Sequence, residues 1–254
     1  MRTCAERGFR PFDRGQAAFA LWQLTGDAGA LLDIVAASLT AEGEGHEPYL
    51  LALLPQLGPA ARPLLPGLRR HVREQPQRLR SNTSIAGVLY QLDGDHDEIL
   101  PILAAALTHR QPPEQAVALA GALGERAVSL LPLLRDLQGT DIGWLKVQVI
   151  DVRHRLGDVG VEEVVAAVLP APAGFEYWHH AAARAAVDLV VRLEATQAVE
   201  RLEAYLATDK RIRFGGQDDL VRDDERLQAR LRTAIGALRP APAPVRTAGG
   251  PVRP

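Results

Sequence analysis

Ala116-Val117-Ala118-Leu119-Ala120-Gly121-Ala122-Leu123-Gly124-Glu125-Arg126-Ala127-Val128-Ser129-Leu130-Leu131-Pro132-Leu133-Leu134 is the stretch from which the fold is read. Ala116, Leu119 and Leu123 recur at helical spacing and trace one apolar stripe of an α-helix. Gly124 follows as a stop, because glycine suits the positive-φ backbone that ends a helix. Leu130, Leu131 and Leu134 then begin a second stripe. The stretch reads as two helices around a tight turn.

The same pattern recurs on both sides of it. Leu24, Leu57, Leu92, Leu123 and Leu156 each close a helix before a Gly-containing turn, and are 33, 35, 31 and 33 residues apart. Leu193 gives a degenerate sixth copy after a further 37 residues. Four residues before the anchors stand Ala20, Leu53, Val88, Leu119, Val152 and Leu189; seven before stand Ala17, Leu50, Ile85, Ala116, Val149 and Ala186. Positions +7, +8 and +11 after the anchors hold Leu31/Leu32/Val35, Leu64/Leu65/Leu68, Ile99/Leu100/Leu103 and Leu130/Leu131/Leu134. In the fifth copy the stripe slips by one residue to Val164, Val165 and Val168. Asp27, Asp95 and Asp158 suit the N-caps of the helices that follow. Pro66, Pro101 and Pro132 share position +9, which predicts one kink common to three units. Helix pairs with a single apolar side each cannot bury it alone and must stack.

Composition supports an all-α chain. Hydrophobic residues make up 47% and aromatics only 5%, with Ala and Leu, both strong helix formers, carrying the load. No apolar–polar alternation signals a strand. The formal charge is −2 without long blocks of one sign, which disfavours bulk nucleic acid or an anionic membrane as partner. The single cysteine, Cys4, permits no intrachain disulfide. No apolar run approaches the roughly 20 residues of a membrane span, and no secretory h-region follows Met1. A soluble cytoplasmic chain is expected.

The quoted stretch resembles HEAT repeats, above all the short type of phycobilin lyase-like proteins, and the resemblance covers about residues 15–238. It implies an α-solenoid of about six HEAT-like helix pairs whose second helices line a concave side. Residues 1–14 are expected to be an irregular segment and 239–254 a disordered Pro/Ala/Gly tail. The resemblance says little about function, because HEAT arrays serve as scaffolds, adaptors, inhibitors and occasionally enzymes.

Few residues suggest chemistry. Asp93-Gly94-Asp95-His96-Asp97-Glu98 is acidic but lacks the spacing of a calcium loop, and reads as a glycine stop with a cap. Glu176-Tyr177-Trp178-His179-His180 holds adjacent histidines about 100° apart on a helix, unsuited to one metal. Arg69, Arg70, Arg73, Arg78 and Arg80 with His71 form the strongest basic patch. There is no glycine-rich phosphate loop, nucleophile elbow or metal-spaced Cys/His set. No catalytic, cofactor-binding or metal residue is assigned, and no enzyme is expected.

The register supplies a better clue. Positions −1, −5 and −8, away from the apolar stripe, read Gln23/Phe19/Gln16, Gln56/Ala52/Tyr49, Gln91/Gly87/Ser84, Ala122/Ala118/Gln115, Arg155/Asp151/Gln148 and Arg192/Asp188/Ala185. They predict a trough of amides and small residues ending in two Asp→Arg pairs along the helices. Trp22, Tyr90, Trp144 and Trp178 are expected on its rims. Gln16, Gln23, Tyr49, Gln56, Tyr90, Gln91, Gln115, Trp144, Gln148 and Trp178 are the expected partner contacts, since aromatics among polar neighbours anchor interfaces. A non-catalytic module or scaffold that binds a protein through this face is the expectation. The alternatives are a nucleic-acid or phosphate-ligand binder using Arg69–Arg80, or a HEAT-fold enzyme.

Overall fold

The leucine-and-glycine punctuation becomes helices and turns in a computed structural model, which describes residues 11–40, 47–94, 96–137, 143–169, 180–208 and 220–239. All regular structure among the described residues is helical, with no strand. The chain divides into two compact units, Met1–Gly139 with Arg155–Asp158 and Thr140–His154 with Val159–Pro254.

The first unit holds α1 (Pro11–Thr25), α2 (Gly29–Thr40), α3 (Glu47–Leu51), α4 (Leu54–Leu57), a 3-10 segment (Gly58–Leu64), α5 (Leu65–Glu74), α6 (Leu79–Leu92), α7 (His96–Leu107), α8 (Glu114–Leu123), a second 3-10 segment (Gly124–Leu130) and α9 (Leu131–Asp136). Helices that end on an anchor adjoin one another: α1 meets α3, while α3 and α4 meet α6, which meets α8. The intervening helices form the other layer, with α2 on α5, and α7 on the second 3-10 segment and α9. α10 (Gly143–Arg155) then leads into the second unit, which continues with α11 (Val161–Val168), α12 (His180–Arg192), α13 (Val199–Ala207) and α14 (Leu220–Leu238). Its core gathers Ile150, Val164, Val168, Ala186, Val187, Val190, Leu202 and Leu231.

Burial follows the register with one shift. Positions +7 and +11 are buried in the first four copies, and Val164, Val165 and Val168 are buried at the slipped register. On the anchor-bearing helices the buried arc is wider than the expected stripe. Position −6 is buried in all six copies (Ala18, Leu51, Ala86, Val117, Ile150, Val187), and −3 in five (Leu54, Leu89, Ala120, Arg153, Val190). α1 departs furthest: Ala17 and Ala20 are half-buried and Leu24 is 72% exposed. Its contact face is Gly15 and Ala18, because Gly15 lies so close to α3 that an added Cβ would fall 2.0 Å from Leu50 Cδ2. α1 also begins at Pro11, inside the stretch expected to be irregular; a proline's fixed φ and missing N–H suit a first helical position.

Every turn carries a positive φ: Gly26, Gly58, Gly94, Gly124 and Gly157, with Glu194 in the degenerate copy. Asp27 caps α2, its Oδ1 accepting from the Gly29 amide at 2.9 Å. Asp158 accepts from Arg135 Nε at 3.0 Å, and Gly160 stands at the N-cap of α11. Asp95 lies outside the described residues. The three prolines of one register fall at different places in their helices. Pro66 and Pro132 sit in the first turn of α5 and α9, directly after a 3-10 segment, whereas Pro101 lies inside the unbroken α7. The second and fourth copies place glycine immediately after the anchor and start as 3-10 helix; the third has the longer Asp93-Gly94 turn.

Two elements escape the sequence reading. The helix expected from Tyr49 to Leu57 breaks between α3 and α4, since Pro55 has no N–H for the Leu51 carbonyl and its ring crowds it. α14 repeats the anchor pattern, with Leu231, Ala234 and Leu238 buried, and packs on α12. The run Glu114–Asp136 has the length and mean hydropathy (1.5) of a span, yet it turns at Gly124 and is 39% buried. Residues 240–254, most of the expected tail, lie outside the described residues.

Candidate binding face

The buried arc dictates which side of the anchor-bearing helices is left over. Positions −1, −5 and −8 lie opposite it, and none of the corresponding residues in the six copies is buried. Gln16, Gln23, Tyr49, Gln56, Gln91 and Gln115 are exposed, while Tyr90, Trp144 and Gln148 are half-buried. Trp178 lies outside the described residues, as do Glu176, Tyr177 and His179.

The aromatics on this side are engaged in packing. Tyr90 stacks obliquely on His96 at 5.6 Å, and its hydroxyl donates to the Ala122 carbonyl at 3.1 Å, joining α6 to the end of α8. Trp22 meets Phe19 within α1 at 5.3 Å. Trp144 packs against the core of the second unit.

Charges on the second unit link neighbouring helices. Arg192 Nη2 donates to Asp151 at 2.8 Å, and Asp188 accepts from Arg230 Nε of α14 at 2.5 Å rather than from Arg192 one turn on. Arg184 and Arg226 meet Asp223 at 3.3 and 3.6 Å. Hydrogen bonding to Asp188 holds the Arg230 guanidinium above its ordinary pKa, partial burial opposing. These side chains border an open groove of about 750 Å³ between α12 and α14, with Val187, Val191, Ala229, Ala234 and Ala237 along it. The groove takes in positions −1, −2, −5, −6 and −9 of α12, so it shares the −1/−5/−8 side in part, and its α14 wall was not anticipated.

The acidic turn and the basic patch meet through Arg69. Arg69 donates to both Asp93 and Glu98 and is held above its ordinary pKa, first by the Glu98 bond and then by Asp93, so the two acids and one patch member satisfy one another. Arg135 and Asp158 repeat this pairing two copies later. Among the described residues no group of three or more His, Cys, Asp and Glu converges. Arg70, His71 and Arg78 line a cavity near α2, whereas Arg73 and Arg80 are exposed elsewhere. Comparisons with family models, with curated proteins and with solved structures each found no match.

Proposed function

We propose that the chain is an α-solenoid of HEAT-like helix pairs that acts as a non-catalytic interaction module, binding a protein segment along the −1/−5/−8 side of its anchor-bearing helices. The observation that carries this reading is the groove between α12 and α14, whose lining includes the −1 and −5 residues Arg192 and Asp188. Val191, Ala229 and Ala237 offer apolar surface, and arginines stand along both walls. Because Arg184, Arg192, Arg226 and Arg230 already meet aspartates, the walls are close to neutral. That suits an amphipathic helix or extended peptide better than a polyanion. The glutamines of the first unit hold positions −1 and −8 on that unit's own anchor-bearing helices and give them a polar, adaptable surface.

Immobilised chain and host lysate, read by quantitative mass spectrometry, test the proposal. Ala229→Glu, an exposed position on the groove wall, and the pair Gln56→Glu/Gln91→Glu are expected to weaken capture of the native partner at least tenfold. Folding stability is expected to change by no more than about 0.5 kcal/mol per site, as for other surface substitutions. Arg70→Glu/Arg73→Glu is expected to leave capture intact. Capture lost on the arginine reversals and kept on the others, with steep salt dependence, would replace this reading with an anionic ligand.

A further inference from the structure

A separate cavity of about 600 Å³ lies in the first unit, against α2 and α5, and is within the usual size of small-molecule sites. Leu39, Pro63 and Leu64 give it apolar walls, and α5 contributes Arg70, His71 and Glu74. His71 is only 4% exposed. Its Nδ1 lies 3.1 Å from the Leu39 carbonyl, near the end of α2. A carbonyl can only accept, so Nδ1 carries the proton and Nε2 of the neutral ring is left as an acceptor. That Nε2 is buried and has no hydrogen-bond partner. Buried polar atoms are nearly always satisfied, so an orphan acceptor in a residue lining a cavity marks a place for a donor. Arg70 lies beside it on α5 and makes no hydrogen bond or ion pair among the described residues, although Glu74 is one turn away.

We propose that this cavity binds a small aliphatic carboxylate bearing a hydroxyl group. The carboxylate pairs with Arg70, whose planar guanidinium matches it in two parallel hydrogen bonds. The hydroxyl donates to His71 Nε2, and the hydrocarbon lies against Leu39, Pro63 and Leu64. Glu74 offsets one of the two arginines that line the cavity, Arg70 and Arg78, which leaves one net positive charge and suits a monoanion over a polyanion.

Long-range proton–nitrogen NMR of the histidine rings, with titration of 3-hydroxyoctanoate and separately of inorganic phosphate, tests this. The hydroxy acid is expected to move the His71 Nε2 resonance upfield to saturation. Arg70→Gln is expected to weaken that binding at least tenfold and Arg73→Gln to leave it unchanged. Absence of saturation, or equal binding by Arg70→Gln, would overturn the proposal. Phosphate binding as tightly as the hydroxy acid would overturn it too, because the apolar walls would then contribute nothing.

Discussion

Gly58 and Gly124 have φ of 52° and 57° with ψ of −130° and −138°. That lies away from the left-handed helical region and in territory that only glycine enters freely. Both residues follow an anchor leucine and begin a 3-10 segment, so the same conformation launches the same substructure twice. An added Cβ at Gly124 would meet nothing within 4 Å, so the cost of a side chain there is conformational alone. Gly124→Ala is expected to destabilise the chain by about 1–3 kcal/mol, measured by urea unfolding. An unchanged midpoint would show that the turn takes another conformation in solution. The buried His71 and the exposed Arg201 act locally in a related way: each meets a carbonyl near the end of a neighbouring helix, Leu39 and Leu169 respectively, which would otherwise lack a partner.

At the scale of elements, the three prolines at one register have different consequences. Pro101 is exposed and lies well inside α7, where it removes a hydrogen bond to the Asp97 carbonyl. Pro132 is also exposed but sits in the first turn of α9, where little is lost. Pro101→Ala is therefore expected to stabilise by about 1–2 kcal/mol, the regained helix bond exceeding the greater freedom of the unfolded chain. Pro132→Ala is expected to destabilise by about 0.4–1 kcal/mol through that freedom alone. Thermal unfolding of the two variants reads the opposite signs directly, and equal signs would refute the distinction. The sequence made helix ends and the +7/+11 stripe legible because leucine and glycine mark them at fixed spacing. It hid the face of α1, because the residue that fixes it, Gly15, carries no side chain to signal burial. α14 was hidden by spacing, since its anchor Leu238 falls well beyond the interval of the other copies. On the candidate face, exposure of the −1/−5/−8 residues followed from periodicity. The cross-helix pairs Asp151–Arg192 and Asp188–Arg230 did not, because they depend on which helices adjoin.

For the whole molecule, the proposal of stacked helix pairs makes a claim about how stability is distributed. In a repeat array each pair leans only on its neighbours, so damage stays local, whereas a single shared core fails together. Leu119 in α8 is the place to introduce damage: it is 9% exposed, and a carboxylate there costs several kcal/mol. The decisive measurement is hydrogen exchange by mass spectrometry on Leu119→Asp beside the parent chain. The account predicts lost protection in α6 through α9 and parent-like exchange in α12, α13 and α14. Protection lost to the same extent in α12–α14 would contradict it.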